Sequence, residues 1–431
     1  MNNEIQNKDK GNKIASLVLD KYNSFPSKGK CQEHEWTCLA GIVMEKWNNM
    51  SCIAIGTGTK CLSEDKLNDN GSLVDDCHAE VIARRSFLLF LLDQILLWHK
   101  NVDESIFQMN NESSLLEIKE GIQFHFYISQ SPCGEACNFE MNNAKRVAEE
   151  IYDSKQRNSK RRKVEESTSN ILQLNNQDNE NEMNQHKTGA KAILSSTSSV
   201  YSHSSLYTHI PLRIKPGRGI STLSNCCSDK LALWATVGIQ GKLLSCIMNP
   251  IYLSSITITD LYNEDALRRT FDQRLSSITH SIHNYIPHPP LLYNTTNITI
   301  PFSEIQVLQR LKGMKKMSAC GSTLSWCKDR SVEVIAGITG LKLGASTKMM
   351  QLPPEKVQSN LSRKMIFHYY RQILKELSLF QNIYDICTTY KSIKEYKNEY
   401  KEYKMYVINE YTDSAFYGWK QKDIDKYYNF S

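Results

Sequence analysis

Asp76-Cys77-His78-Ala79-Glu80 leads into a stretch, Ala79 to His99, whose apolar residues fall on the helical period, and this junction constrains the chain more than any other. A His and a Glu two residues apart at the first turn of a helix can divide one task. The imidazole of His78 can hold a metal while the Glu80 carboxylate sits beside a water that the metal makes more acidic. Taken alone, His-x-Glu also describes ordinary surface residues, so the reading turns on whether the chain supplies the missing thiolates.

With 431 residues, 40% of them hydrophobic, the chain can bury a sizeable core as one large or two ordinary domains. A formal net charge of +6 is a mild tilt towards anionic partners such as RNA and decides nothing alone. Thirteen scattered Cys, with a polar N-terminus lacking an apolar signal segment, imply an intracellular, reducing location, nucleus or cytoplasm, with Cys as core residues or metal ligands. Phe87 to Leu92, the most apolar run, is short and flanked by Arg84, Arg85 and Asp93. It reads as a buried helix, and no membrane association is expected.

In chain order, residues 14–24 read as a short amphipathic helix, and Cys38 to Met44 with Cys52 to Ile55 as a hairpin turning at Asn48-Asn49. Gly56 to Lys60 is a tight loop carrying hydroxyls and one cation, or simply a glycine turn. Ile122 to Ser129 is the clearest strand, and Ser131-Pro132 then opens a helix from Gly134 to Ile151. Residues 153–208, rich in Ser, Asn, Gln and Lys, read as a disordered low-complexity insertion. Its Lys160-Arg161-Arg162-Lys163 is a nuclear-import or RNA-contacting patch, or a solvated charge run. Lys215 to Gly219 is a basic turn, followed by a helix through Val237, a strand over Leu253 to Ile258 and a helix over Glu264 to Leu275. Residues 284–304 are Pro- and Asn-rich loop. A strand pair spans Ser322 to Trp326 and Val332 to Ile338, with helices over 358–377 and 388–411. On the last, Lys394, Lys397, Lys401 and Lys404 form a stripe that normally marks a solvated face.

Cys133, between the Ile122–Ser129 strand and the next helix, sits where a helix N-terminus and a metal together favour a thiolate. Nucleobase deaminases complete their His-x-Glu with Cys-x-x-Cys, but here Cys137 is one residue too far. Cys226 or Cys227, again before a helix, is the natural third donor. Either leaves a fourth zinc position open, as a catalytic site requires. A closed structural zinc on Cys133, Cys137, Cys226 and Cys227 is the rival arrangement, and it leaves His78 and Glu80 unexplained.

Asp76 to Glu80 with Arg84-Arg85, Ser131 to Gly134, Cys227 to Lys230 and Val237 to Gly241 together resemble the RNA-editing adenosine deaminase domain family. Gly56 to Lys60, Ser325-Trp326, Val332 to Ile335 and Phe416 to Trp419 are similar to it as well. The resemblance runs from residue 14 to the C-terminus apart from the insertion, as a single deaminase domain over 14–431. It implies an α/β fold, a cytidine-deaminase-like three-layer core with a central mixed sheet and flanking helices, elaborated around a buried inositol polyphosphate. His78, Cys133 and Cys227 then become the Zn2+ ligands and Glu80 the proton shuttle for hydrolytic attack at C6 of adenine. Cys226 takes a position where the family usually has Ser, and Thr59 matches a residue near the target ribose.

The family's inositol hexakisphosphate ligands map to Asp76, Arg84, Arg85, Lys230, Trp234, Gln240, Tyr390, Lys394, Tyr400, Lys404, Trp419 and Lys422, with Lys364 a looser alignment. So many cations cannot be buried together without a polyanion. Lys397 and Lys401, off that pattern, keep the solvated reading. Leu233 stands where relatives often carry Arg, Asp75 where some carry Asn and Gln421 where some carry Glu. Lys28-Gly-Lys30 with Glu33 to Thr37, and Lys215 to Gly219, are similar to the tRNA-acting branch, as is a deaminase match starting too early to leave room for double-stranded-RNA-binding modules. That branch converts adenosine 37 of tRNA-alanine to inosine, and no stable protein partner is implied; Lys60 and Arg218 are the candidates for RNA contact, or simply surface cations. Editing of double-stranded RNA, or a catalytically inactive RNA- or inositol-phosphate-binding protein, are the alternatives.

Overall fold

Leu39, Val43 and Ile55 alternate along two neighbouring strands with Ala40, Ile42 and Ala54, and all six are fully buried. Apolar residues on both sides of a strand require a cover on both faces of the sheet. The computed structural model, which describes residues 2–138, 191–192, 210–216, 220–311, 316–349, 351–408 and 414–431, supplies both covers. Helix α1 (Asn2–Asn23) lies on one face, with Ile14, Ala15, Val18 and Tyr22 against Leu39, Val43, Ile55 and Tyr127. Helix α2 (Ala79–Lys100) lies on the other, with Ile82, Phe87, Phe90 and Leu91 in one core with Ile42, Ile53 and Phe126.

The eight-stranded sheet comprises β1 (Leu39–Lys46), β2 (Asn49–Thr57), β3 (Ile122–Gln130), β4 (Ser255–Asp260), β5 (Leu291–Asn294), β6 (Ser322–Cys327), β7 (Glu333–Ala336) and β8 (Leu341–Lys342). Their spatial order is β5-β4-β3-β1-β2-β6-β7-β8. β4 runs parallel to both β3 and β5, while the remaining pairs are antiparallel, so the sheet is mixed. Helix α3 (Cys227–Val237) carries Asp229 in its first turn. A fully buried ion pair from Arg274 Nη1 to Asp229 Oδ1, 2.6 Å, fixes that turn.

Gly56 sets how closely α2 approaches the sheet. A Cβ there would fall 2.4 Å from Ala83 N and 2.6 Å from Ala79 O, both backbone atoms that cannot step aside. The glycine therefore lets β2 and the first turns of α2 touch backbone to backbone.

Several elements depart from the sequence expectation. The N-terminal helix begins at Asn2, well before residue 14, and the β1–β2 hairpin turns at Trp47-Asn48, both with positive φ. The helix expected from Gly134 begins as one 3₁₀ turn, Glu135–Cys137, and residues 139–151 lie outside the described residues. So does most of 153–208, although Lys191–Ala192 pairs antiparallel with Arg213–Ile214. Within the expected loop 284–304, Leu291–Asn294 is the strand β5. The helix expected over 358–377 is α4, Arg363–Glu376. The helix expected over 388–411 is two: α5 (Tyr390–Glu395) and α6 (Glu399–Val407). Tyr396 ends the first in an extended conformation, and the Asn398 side chain caps the second by accepting from Lys401 N at 3.1 Å. Among the described residues, no helix is long and apolar enough to cross a membrane.

Candidate active site and an adjoining cationic cavity

The short strand Asp76–His78 pairs antiparallel with Thr59–Cys61, which sets His78 opposite Thr59 and delivers it to the N-cap of α2. Glu80 follows in the first helical turn, where the helix dipole favours a carboxylate. Cys133 comes from the loop after β3, and Cys227 is the first residue of α3, with Cys226 at its N-cap. Three distant parts of the chain thus bring one donor atom each within 4.8 Å of the others. His78 Nδ1 lies 3.7 Å from both Cys133 Sγ and Cys227 Sγ, and Cys227 N approaches Cys133 Sγ at 3.4 Å.

The donor chemistry fits a soft-to-borderline dication such as zinc. Burial, reinforced by the Lys215 ammonium, lowers His78 to about 3, so the ring is the neutral imidazole that a metal requires. Burial likewise pushes the Cys227 thiol well up, so a thiolate there needs a cation to balance it. Glu80 is 4% exposed, and burial raises its carboxyl above the ordinary range, which suits a group that must hold and release a proton. Thr59 Oγ1 is buried beside His78 with no hydrogen-bond partner, a hydroxyl open to a ligand. Lys60 follows it in the strand, its stem against Gly337. Arg218 lies outside the described residues.

The sequence places Lys215 in a basic turn similar to the tRNA-acting branch's active-site loop without giving it a role of its own, yet it is central. Its Nζ donates to Asp76 Oδ1 and Oδ2 at 2.9 and 2.7 Å and to Cys227 Sγ at 3.2 Å. Lys230 Nζ donates to Asp76 Oδ2 at 2.6 Å, and Ser224 Oγ donates to the same oxygen at 2.6 Å. Burial works to raise Asp76, but Lys215 and Lys230 overcome it and hold the carboxyl well below its usual range. Asp76 therefore joins the His78 side of the molecule to a second site through Lys230.

That second site is a pair of abutting cavities of about 240 and 250 Å³. Among the expected polyphosphate ligands, Arg84, Arg85, Lys230, Trp234, Gln240, Tyr390, Lys394, Tyr400, Lys404, Trp419 and Lys422 line one or both, and Asp76 lines the first. Lys364 does not. Ser362 caps α4, which places Arg363 at the first helical position facing inward, and its Nη1 meets Asp75 Oδ2 at 2.6 Å. Lys422 pairs with the same carboxylate. Gln240 is committed to backbone, donating to Val237 O at 3.1 Å and accepting from Ile251 N at 3.0 Å, so it braces the wall. Lys401 lines the first cavity while donating to Glu395 O at 2.9 Å, and Lys397 is exposed.

The lining carries many cations against two carboxylates, Asp75 and Asp76. Burial and mutual repulsion lower Lys394 and Lys404 to about 7, and Lys422 to about 8. Such a cavity fits a polyanion, which would restore the charged form of each lysine. The pH dependence follows. In the unfolded chain these lysines titrate near 10.5, so between pH 7 and 10.5 the unfolded state binds more protons than the anion-free fold. Stability of the anion-free protein should therefore rise with pH across that window, by a few degrees in Tm from pH 7 to 9, and bound inositol hexakisphosphate should flatten the slope. Thermal melts of stripped and reloaded protein check this, and an anion-free Tm falling over that interval would contradict it.

A mixed sheet backed by a helix that presents a His-x-Glu pair, with two cysteines closing a three-donor set, defines the nucleobase-deaminase class of site. Across residues 54–423 the chain matches the adenosine-deaminase (editase) domain, and it belongs to that family. It is 35% identical over 295 residues to tRNA-specific adenosine deaminase 1 of Drosophila melanogaster, a stretch covering 68% of this chain and 66% of the fly protein. Against the Mus musculus protein of the same name it is 26% identical over 477 residues, covering 91% and 94%. Double-stranded RNA-specific adenosine deaminase of Rattus norvegicus is 26% identical over 397 residues, 89% of this chain but 29% of that protein.

Proposed function

We propose that the protein hydrolyses adenosine to inosine in tRNA, with adenosine 37 of tRNA-alanine as its target. The observation that carries the reading is the buried Glu80 carboxyl beside the His78, Cys133 and Cys227 donors, in a chain similar to tRNA-specific adenosine deaminases over most of its length. His78, Cys133 and Cys227 would hold zinc, which when bound supplies Lewis-acid activation of a water. Glu80 takes the proton from the attacking water and delivers it to the adenine ring, then collects the proton of the hydroxyl now on C6 and passes it to the amine, which departs as ammonia. Thr59 pairs opposite His78 and Lys60 is the next residue, so a hydroxyl and a cation are available for a ribose and its phosphate. Arg218 is assigned to RNA contact on its sequence position. A base already unpaired in an anticodon loop needs little energy to reach such a pocket.

The polyanion cavity takes inositol hexakisphosphate in this reading, as a structural cofactor joined to the donor set through Lys230, Asp76 and Lys215. The decisive assay incubates purified protein with tRNA-alanine and, in parallel, with an adenosine-containing RNA duplex, and measures inosine. Inosine at position 37 of the tRNA is expected, with little in the duplex. Duplex-only activity would transfer the protein to the editing branch, and no inosine in either would leave a binding protein.

A further inference from the structure

Leu233 and Lys242 both line the second of the two cationic cavities, and both are buried, at 3% and 8% exposure. We propose that Lys242 supplies the cation that this chain lacks at Leu233, so that the polyanion site is complete by a different route. The inference rests on the polyphosphate reading given above.

Lys242 lies just past α3, in the helical turn Gly241–Leu244. Its ammonium reaches across to the break between α5 and α6, donating to Tyr396 O at 2.7 Å and to Asn398 Oδ1 at 2.5 Å. An ammonium has three protons, and these two acceptors are neutral, so one donor and the whole charge remain. No carboxylate pairs with Lys242 among the described residues. Its field nevertheless reaches the cavity, because it is among the charges that depress both Lys394 and Lys404. A buried, unneutralised cation within reach of two others calls for an anion between them. The contacts to Tyr396 and Asn398 also fix the junction that aims Lys394 from α5 and Lys404 from α6. A clip of that kind could be built with a neutral donor, however, and the charge itself is what the cavity uses.

Charge and clip are separable. Wild-type protein is dialysed against high salt, denatured, and its inositol hexakisphosphate quantified by mass spectrometry. Lys242→Met should bind the polyphosphate about tenfold more weakly (~1.4 kcal/mol) and retain correspondingly less. Lys242→Met combined with Leu233→Arg restores a cation without restoring the clip, and should recover retention. Wild-type retention in the single variant, or no recovery in the double, overturns the assignment. Should the single variant be insoluble, the double decides: soluble and loaded supports the exchange of cations, insoluble refutes it. A wild-type chain that holds no inositol hexakisphosphate even after reconstitution would instead overturn the polyphosphate reading on which the exchange depends.

Discussion

Glu80→Gln is expected to lower inosine formation by at least about 10³-fold while leaving zinc content, Tm and tRNA affinity near wild-type values. Glutamine keeps the shape of the side chain in a pocket where Glu80 is 4% exposed, and its amide oxygen can still accept the hydrogen bond that Cys227 makes to Glu80. What disappears is the exchangeable proton. Burial raises the Glu80 carboxyl from its ordinary value, which brings it closer to the proton affinity of the groups it must serve. The measurement is single-turnover inosine formation alongside metal analysis of the same preparation. A variant that keeps more than about a tenth of wild-type turnover would remove Glu80 from the proton-transfer role, because general acid–base groups contribute typically 10²–10⁴-fold. A variant that loses zinc together with activity would mean that Glu80 organises the donor set.

Asp76→Ala should cost about 3–5 kcal/mol of stability, as expected when one partner of a buried ion pair is removed. Asp76 is 5% exposed and is the only carboxylate bonded to Lys215, itself 2% exposed, among the described residues. Without it, Lys215 and Lys230 face one another uncompensated, and the backbone bond from His78 N to Asp76 Oδ1, 3.1 Å, is lost as well. Urea unfolding of Asp76→Ala against wild type reads the stability, and zinc content reads the effect on His78. Pairing the change with Lys215→Met should return part of the loss, because the stranded charge is then gone. A destabilisation below about 1 kcal/mol would show that water reaches this network and that it is not the shielded link described here.

Much of the site was legible because its residues sit at junctions with strong local signatures. The α2 period, the apolar Ile122–Ser129 run and the placement of Cys133 and Cys226-Cys227 each announce where a side chain will be delivered, while the choice of Cys227 over Cys226 rests on the family resemblance. What stayed hidden depends on contacts that sequence spacing does not encode. The lysine stripe has an unbroken helical period, yet the chain breaks at Tyr396 because Asn398 caps a new helix there. Arg363 and Lys364 are neighbours of equal charge, and only the Ser362 cap decides which faces inward. Lys215 carries no local sign that its head will reach Asp76, 139 residues away in sequence. Strand β5, four residues long and directly after Pro289-Pro290, is too short for its alternation to register, and the parallel partner β4 defines it.

Gly56 leaves no layer of side chains between β2 and the start of α2, which has a consequence for how this scaffold can diversify. Helix packing ordinarily tolerates small slides, because side chains between two elements can exchange rotamers. Here a backbone rests on a backbone, so the segment bearing His78 and Glu80 behaves as an extension of the sheet. New substrate preferences on this frame would have to be written into surrounding loops, such as the turn at Ala336–Gly340, while the His78–Glu80 segment keeps one fixed address.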